Sequence, residues 1–115
     1  MYKLLYTDYS DYVSLAEAME KMMNATEQNG WEPYGSMVVI ERSSHWYGFQ
    51  VMRKMETQQI EVVFGFGKKP ENAVIDALNG TRAFCKKGFK IHGPFQMIRP
   101  DETQPVWACM ITLVM

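Results

Sequence analysis

The stretch Gly30-Trp31-Glu32-Pro33-Tyr34-Gly35 aligns, at a shift of 58 positions, with Gly88-Phe89-Lys90-Ile91-His92-Gly93. The same shift aligns Leu4-Leu5-Tyr6 with Val62-Val63-Phe64. Farther along, the second copy is three residues longer, so that Trp46 aligns with Trp107. Self-similarity at a fixed spacing indicates repeated structural units. We therefore predict a single domain of residues 1–115 that contains two repeats, residues 1–55 and 60–115.

The composition is typical of a small globular protein. With 115 residues, 47% of them hydrophobic, the chain can bury a core without a disulfide or a metal ion. Its 12 basic and 13 acidic residues leave a net charge of −1, which gives no electrostatic sign of a nucleic-acid or membrane partner. Cys85 and Cys109 are predicted core residues in a reducing compartment. The start of the chain turns polar too quickly for a signal peptide, so we expect a cytoplasmic protein. We also expect no cofactor.

The first repeat is predicted to fold as β-α-β-β. Ser14 and Glu17 fit a capping box at the start of a helix, and Gly30 supplies the helix end. The polar tip at residues 42–45 is typical of a hairpin. The predicted strands are residues 2–6, 31–42 and 46–54, and the predicted apolar helix face comprises Leu15, Met19, Met22, Met23 and Thr26.

The second repeat follows the same plan. Pro70 suits the first turn of a helix, because the backbone N–H that proline lacks has no hydrogen-bond partner within the helix at that position. Gly88 ends that helix. Gly80 lies inside the helix and weakens it by roughly 1 kcal/mol relative to alanine. The predicted strands are residues 60–66, 89–99 and 106–114, with a loop at 100–105. The predicted apolar helix face comprises Val74, Leu78, Thr81 and Cys85, with Ala77 and Phe84 flanking it.

The linker at residues 56–59 is too short for a flexible tether, so we predict that it joins the two repeats within one sheet. The predicted fold class is α+β, with two β-α-β-β repeats forming one antiparallel sheet and both helices on one face. Residues 37–40 and 106–114 are apolar on both strand faces, and two helices cover only one. The other face is then covered by a second subunit, by a ligand or by closure into a barrel. Because two-fold homodimers are the commonest oligomers, we favour a homodimer.

The step Gly30-Trp31-Glu32 resembles the helix-to-strand junction of short β-α-β-β domains of bacteria and phages, which have no assigned function. Gly88-Phe89-Lys90 is its counterpart, so the chain resembles a tandem of such domains. Phe89 and Lys90 depart from the tryptophan and the acid of that pattern. A looser likeness is to the ferredoxin-like dimeric α+β barrels, which include small oxygenases and stress-response proteins. That likeness implies a homodimer and, as an alternative function, a small enzyme.

Aromatic side chains are concentrated in the predicted strands, where large rings are typical of cores and interfaces. Exposed rings on a sheet can also stack on single-stranded nucleic acid beside a basic groove. Arg42, Arg53, Lys54, Lys90 and Arg99 are the residues that would supply such a groove. The candidate binding residues are Trp31, Tyr34, Trp46, Tyr47, Arg53 and His92.

The sequence contains no recognisable catalytic or metal-binding motif. Residues 65–70 precede a helix, as anion-binding loops do, but they lack the glycine pattern of the nucleotide-binding motifs. No spacing of Cys, His and Asp fits a metal site. His92 beside Tyr34 is a candidate base for the enzyme alternative, although a hydrogen-bonded or exposed histidine is the simpler interpretation. We predict a non-enzymatic binding or oligomerisation module, with a small-molecule ligand, single-stranded nucleic-acid binding and a small enzyme as alternatives.

Overall fold

A computed structural model describes residues 1–55, 59–98 and 106–115. The chain divides into two compact units, Met1–Gln58 and Gln59–Met115, and this boundary falls beside the predicted boundary between the repeats. Each unit contains one α-helix and one antiparallel sheet, which confirms the predicted α+β class. The single domain stays a prediction. Three predicted features lie wholly or mostly outside the described residues: the turn at 56–59, the groove residue Arg99 and the loop at 100–105.

Unit 1 consists, in chain order, of β1 (Tyr2–Tyr9), α1 (Tyr12–Met23), β2 (Trp31–Pro33), β3 (Val38–Arg42) and β4 (His45–Lys54). Strand β4 is the middle strand of the sheet, which we call sheet 1. One edge of β4 pairs antiparallel with β1, and the other edge pairs in succession with β2 and β3. Helix α1 packs on one face of sheet 1, against β1 and β4.

Unit 2 consists of β5 (Ile60–Gly67), α2 (Pro70–Lys86), β6 (Lys90–Ile91), β7 (Gln96–Ile98) and β8 (Trp107–Val114). Strand β8 is the middle strand of sheet 2, between β5 on one edge and β6 and β7 on the other. Helix α2 packs on one face of sheet 2, against β5 and β8. Within the described residues, neither unit has a helix long and apolar enough to cross a membrane.

The two sheets have corresponding strand registers. Tyr2 lies opposite Arg53 in sheet 1, and Ile60 lies opposite Val114 in sheet 2. The shift of 58 positions relates Tyr2 to Ile60. The same shift, lengthened by the three extra residues of the second copy, relates Arg53 to Val114. The sequence alignment therefore matches the strand pairing of the two units as well as their order of elements.

The predicted single sheet with both helices on one face is not confirmed, because the described strands form two sheets. The physical reason lies in β4. Both of its edges are already paired inside unit 1, so no edge is left for β5, the next strand in the chain. The prediction assumed that strands consecutive in the chain are neighbours, whereas the last strand of each unit is the middle one.

Two predicted strands are each broken into two short ones. The strand predicted at 31–42 is interrupted between β2 and β3, and the strand predicted at 89–99 is interrupted between β6 and β7. Each interruption contains a glycine in the left-handed region, Gly35 with φ 77° and Gly93 with φ 73°. That conformation is open to glycine and leaves the regular ladder, which explains why the pairing stops there.

Helix α1 begins earlier than predicted. Its N-cap is Asp11, whose Oδ1 accepts the backbone N–H of Ser14 at 2.8 Å. This cap replaces the predicted capping box of Ser14 with Glu17. The helix ends before a short 3-10 turn at Thr26–Gln28. Of the predicted apolar face, Leu15, Met19 and Met23 are buried, Met22 is half-buried and Thr26 is exposed beyond the helix.

Helix α2 packs on β5 through its backbone rather than through large side chains. A Cβ atom at Gly65 would lie 2.1 Å from the Ala77 nitrogen and 2.4 Å from the Ala73 oxygen, so the helix passes directly over this glycine. A Cβ atom at Gly80 would lie 2.8 Å from the Val63 side chain. Small residues therefore face the sheet, and the predicted face is only partly right. Thr81 is buried and Val74 is half-buried, but Leu78 and Cys85 are exposed, and Ala73 and Ala77 take the central positions.

Candidate functional site

Helix α1 covers one face of sheet 1 and leaves the opposite face uncovered. Gly48 of β4 faces the helix, because a Cβ atom there would lie 3.2 Å from the Met19 side chain and 3.3 Å from that of Leu15. Side chains alternate along a strand, so the odd-numbered residues of β4 and the residues opposite them point away from α1. We call the following set the uncovered face: Tyr2, Leu4, Tyr6 and Asp8 of β1, His45, Tyr47, Phe49, Val51 and Arg53 of β4, and Val38, Ile40 and Arg42 of β3.

The uncovered face is largely apolar and exposed. Tyr2 is 59% exposed and Tyr6 is 65% exposed, and the Tyr6 ring stacks on Phe49 with centroids 6.2 Å apart. Cross-strand neighbours join these side chains into one continuous surface. Four aliphatic side chains of the same face are between 40% and 50% exposed: Leu4, Val38, Ile40 and Val51.

One end of the uncovered face is an ionic and aromatic cluster around Arg53. The Nε of Arg53 donates to Oε1 of Glu32 at 2.9 Å, and its Nη2 donates to the same oxygen. Glu32 lies opposite Arg53 on β2 and is only 2% exposed. The guanidinium lies 4.8 Å from the centre of the Tyr34 ring, which lies 5.3 Å from the Tyr2 ring. The hydrogen bond with Glu32 raises the pKa of Arg53 above its ordinary value, so the arginine remains a cation inside this cluster.

The other end of the uncovered face is a second ion pair. The Nε2 of His45 lies 2.7 Å from Oδ2 of Asp8, and both side chains are partly exposed. Arg42 lies opposite His45 on the neighbouring strand. Three basic side chains, Arg42, His45 and Arg53, and two carboxylates therefore occupy the ends of the face, and each carboxylate lies against one of the basic groups.

Three of the six predicted binding residues, Tyr34, Tyr47 and Arg53, belong to the uncovered face or contact it. Trp46 does not, because it points toward α1. Its ring packs edge-on against Tyr12 with centroids 5.4 Å apart, and the residue is buried. Trp46 is therefore a core residue that no ligand can stack on.

Trp31 lies between two lysines of unit 1. The Nζ atoms of Lys3 and Lys54 lie 4.2 Å and 5.3 Å from the centre of its ring, within the range of cation–π attraction. Trp31 lies opposite Lys54 on the ladder, so this group lies on the α1 side of the sheet, away from Arg53. Trp31 is thus separated from the uncovered face by the sheet itself.

His92, the sixth predicted binding residue, is exposed at the strand break of unit 2. Its backbone N–H donates to the Thr112 oxygen at 2.8 Å, as that of Tyr34 donates to the Val51 oxygen at 2.8 Å in unit 1. The two residues hold equivalent positions in their units. The suggested role of His92 as a base stays a prediction. In the described parts of the chain, no group of three or more His, Cys, Asp or Glu residues is placed to hold a metal ion.

The exposed apolar face is a property of unit 1. Val62 and Phe64 align with Leu4 and Tyr6 and have equivalent positions on β5, yet both are buried. Met110, opposite Phe64, is also buried. A contact surface made of exposed strand side chains is therefore available on sheet 1.

Sequence reasoning missed the β1 residues of the uncovered face. The alternation of Tyr2, Leu4 and Tyr6 is the period-two signal that identifies them. The signal is weak because Leu5, which faces α1, is apolar too. Glu32 was missed as well, although a lone acid between an aromatic residue and a proline in a strand indicates a specific partner.

Gln50 supports the strand break behind the uncovered face. It is fully buried on β4, and its Nε2 donates to the Val51 oxygen at 2.9 Å and to the Gly35 oxygen at 3.2 Å. Its Oε1 is buried and has no hydrogen-bond partner. The side-chain amide thus replaces the backbone pairing that is lost between β2 and β3.

A cleft of about 380 Å³ lies between β1 and the flank of α1. This volume is within the range of small-molecule sites, roughly 300–1,000 Å³. Its polar groups include Glu17 and Lys21, which are one helical turn apart. The cleft is lined by Thr7, Tyr9, Ser14, Glu17, Ala18, Lys21 and Met22.

No protein family, no curated protein and no solved structure matches the chain. The resemblance to tandem β-α-β-β domains and the looser likeness to dimeric α+β barrels therefore stay predictions.

Proposed function

We propose that the protein is a non-catalytic oligomerisation and binding module that forms a homodimer in the cytoplasm, and that unit 1 supplies the dimer contact through β1 and the uncovered face. Duplication of one β-α-β-β unit is part of this proposal. The observation that supports it is the concentration of exposed apolar side chains on one side of sheet 1.

The extent of the uncovered face fits a protein contact. A fully exposed aromatic side chain presents roughly 200 Å², so the half-exposed side chains of this face present on the order of 600 Å². Apolar patches of that size are at the upper end for monomers and usually mark interaction sites. A standard interface buries about 800 Å² on each partner. The face and its polar rim are therefore large enough for a stable dimer.

The charges of the uncovered face favour a second copy over a polyanion. Glu32 neutralises Arg53, and Asp8 pairs with His45. A surface that binds nucleic acid supplies uncompensated cations for the phosphates. A homodimer needs a self-complementary surface, and a face with both signs of charge at its ends satisfies that need.

Sedimentation velocity tests the proposed dimer directly. We expect the wild-type protein to sediment as a dimer at concentrations on the order of 100 µM. Leu4→Lys places a charge in the middle of the exposed row on β1, and we expect it to raise the dissociation constant at least about tenfold.

Ile75→Lys is the matched control, because Ile75 is an exposed apolar residue of α2 and lies outside unit 1. It should leave the dimer unchanged. A wild-type protein that remains a monomer at the highest concentration, or equal effects of the two lysine variants, would contradict the proposal.

Single-stranded nucleic-acid binding is the second candidate, favoured by the exposed rings of Tyr2, Tyr6 and Tyr34 on one side of a sheet. It predicts binding of a fluorescent oligonucleotide at low salt that weakens as salt is added. Tyr6→Ala should weaken that binding, whereas Tyr9→Ala, on the same strand but facing the cleft, should not. Absence of binding at low salt removes this candidate. The small-enzyme alternative stays a prediction.

A further inference from the structure

Strand β1 has a free edge whose backbone groups can be assigned residue by residue. The N–H of Lys54 donates to the Met1 oxygen at 3.1 Å, and these two residues continue the β1–β4 register one position beyond its first pair, Tyr2 with Arg53. In an antiparallel pair, hydrogen-bonded and non-hydrogen-bonded positions alternate. The odd-numbered residues of β1 therefore bond to β4, and the even-numbered ones direct their N–H and C=O groups away from it. In the described part of the chain no strand pairs with that edge, formed by Tyr2, Leu4, Tyr6 and Asp8.

This edge carries few of the devices that keep edge strands from pairing. Natural edges are blunted by proline, by bulges, by lysines or by being short. Strand β1 has eight residues, contains no proline, and pairs with β4 without a bulge from Tyr2 to Tyr9. Its only charged residues are Lys3 and Asp8. A strand of this kind is suited to pair with another strand.

We propose that the edge of β1 pairs antiparallel with the same edge of a second copy, about a two-fold axis at Leu5, so that the two copies of sheet 1 become one continuous sheet. This proposal rests on the homodimer proposed above and specifies how the two copies join.

The register centred on Leu5 uses all the free backbone groups. It places Leu4 opposite the partner's Tyr6 and Tyr2 opposite the partner's Asp8, and every such pair is of the hydrogen-bonded type. Each pair exchanges two bonds, so the contact gains about eight backbone hydrogen bonds. No like charges face each other, because Lys3 lies opposite the partner's Thr7. The side chains of Leu4 and Tyr6 then lie beside those of the partner, and the uncovered face continues from one copy to the other.

The cleft beside β1 fits the same register. Odd-numbered side chains of β1 point toward α1, so the partner's Lys3, opposite Thr7, enters the cleft that Thr7 and Glu17 line. The ammonium of Lys3 lies over Trp31 in its own copy, across β4 from the free edge, so the Lys3 side chain leaves that ring to reach the partner's Glu17 carboxylate. The cleft thus offers space beside the added strand, where Glu17 attracts the partner's Lys3 and Lys21 repels it.

A proline on the free edge separates edge pairing from face packing. The N–H of Tyr6 is not bonded to β4, so Tyr6→Pro keeps the β1–β4 ladder but removes bonds to the partner together with the Tyr6 ring. Tyr6→Ala removes the ring alone and is the reference for the proline variant. Two symmetry-related bonds are lost, and we expect the dissociation constant to rise about 30-fold relative to Tyr6→Ala. Ile75→Lys, on α2 and outside unit 1, is the matched control. It should change the dissociation constant less than about threefold.

Disulfide trapping tests the register independently of how proline affects the fold. In a Cys85→Ser background, Leu4→Cys and Tyr6→Cys proteins are mixed and oxidised. Opposite residues of a hydrogen-bonded pair have Cα atoms about 5.5 Å apart, within disulfide range, whereas identical positions are diagonal neighbours beyond it. We expect the mixture to form the covalent dimer at least about tenfold faster than either protein alone.

The outcomes distinguish the two proposals. A monomeric wild-type protein overturns the homodimer and the edge pairing together. A dimer that survives Tyr6→Pro and is lost in Ile40→Lys overturns the edge pairing alone and assigns the contact to the uncovered face. Rapid self-crosslinking of Leu4→Cys alone overturns the register centred on Leu5.

Discussion

At the scale of single residues, the pair of Arg53 and Glu32 is the most specific interaction of the candidate surface. A nearly buried carboxylate holds a guanidinium that also lies against Tyr34. Removing one partner of such a pair leaves the other charge poorly solvated, whereas replacing both by apolar residues is often neutral. The pair therefore fixes the geometry of β2 against β4 more than it adds net stability.

We expect Arg53→Met to lower the free energy of unfolding, because the nearly buried Glu32 loses its ion pair with the arginine. The double variant Glu32→Met/Arg53→Met should regain most of that loss. Urea denaturation of the four proteins in the cycle measures the coupling. Additive effects of the two single substitutions would show that the pair does not act as a unit.

The two cysteines differ in their surroundings, contrary to the prediction that both are core residues. Cys109 is buried, and burial raises the pKa of its thiol to about 11, whereas Cys85 is exposed on α2. The thiolate is the reactive form, so burial and a raised pKa both protect Cys109. We expect a thiol reagent at pH 8 to label one cysteine in the native protein and two in urea. Cys85→Ser should abolish the native labelling, and persistent labelling of that variant would contradict the assignment.

At the scale of elements, the contact between α2 and β5 depends on the absence of a side chain at Gly65. The helix backbone occupies the place of its Cβ atom and cannot move aside as a flexible side chain can. We expect Gly65→Ala to destabilise the protein by about 3 kcal/mol or more, measured as a shift in the unfolding midpoint. Gly48→Ala is the comparison, because its Cβ atom would meet only the Met19 and Leu15 side chains. It should cost about 1 kcal/mol.

The cap of α1 makes part of the stability depend on pH. The N–H of Ser14 holds the pKa of Asp11 below its ordinary value of 3.8. The folded state favours the ionised form, so the stabilisation is present above the ordinary pKa and is lost as pH falls through the lower folded pKa. We expect Asp11→Ala to cost about 1 kcal/mol at pH 7 and less below about pH 3. Asp11→Asn should keep a cap with a smaller pH dependence, and equal losses for Asp11→Ala at both pH values would contradict this account.

The sequence predicts the elements better than their faces. Periodicity locates both helices, and the polar tip locates the hairpin at Ser43 and Ser44, whose positive φ angles suit a two-residue turn. The predicted stop at Gly88 is right for α2, whereas α1 ends at Met23, well before the predicted stop at Gly30.

The buried face of α2 is only partly predicted: Thr81 is buried as expected, but Ala73 and the flanking Ala77 take the centre in place of Leu78. The reason is the close approach of the helix to Gly65, which leaves room only for small side chains. The strand break at Gly35 follows from the separate pairing of β2 and β3 with β4. The residues around Gly35 alone do not predict that pairing.

The sequence predicts that the candidate surface is rich in aromatic residues, but it does not predict which of these residues lie on that surface. Trp46 and Tyr47 are adjacent aromatic residues of one strand, yet the first lies in the core and the second on the uncovered face. The packing of Gly48 under Met19 decides that the even-numbered residues of β4 face α1 and the odd-numbered ones face away from it. The alternation of Tyr2, Leu4 and Tyr6 is only a weak signal in the sequence, and the pairing of β1 with β4 is needed to place these residues on the uncovered face.

At the scale of the whole molecule, a net charge of −1 means that long-range electrostatics neither drive nor oppose self-association strongly. The proposed contact consists of backbone hydrogen bonds and apolar side chains, and the ion pairs of the uncovered face are already formed within one copy. Salt screens exposed charges and leaves apolar burial intact. Added salt should therefore change the affinity of self-association only weakly, whereas it weakens nucleic-acid binding strongly.

We expect the dimer dissociation constant to change less than about threefold between about 50 and 500 mM sodium chloride, since only the contact of Lys3 with Glu17 is ionic. Sodium sulfate should strengthen the dimer, because excluded salts favour apolar burial. Sedimentation equilibrium across both salt series measures these changes, with Glu17→Gln as the control that removes the remaining salt dependence. Affinity that falls by orders of magnitude with sodium chloride would contradict an apolar, backbone-paired contact and would instead match a surface that binds phosphates.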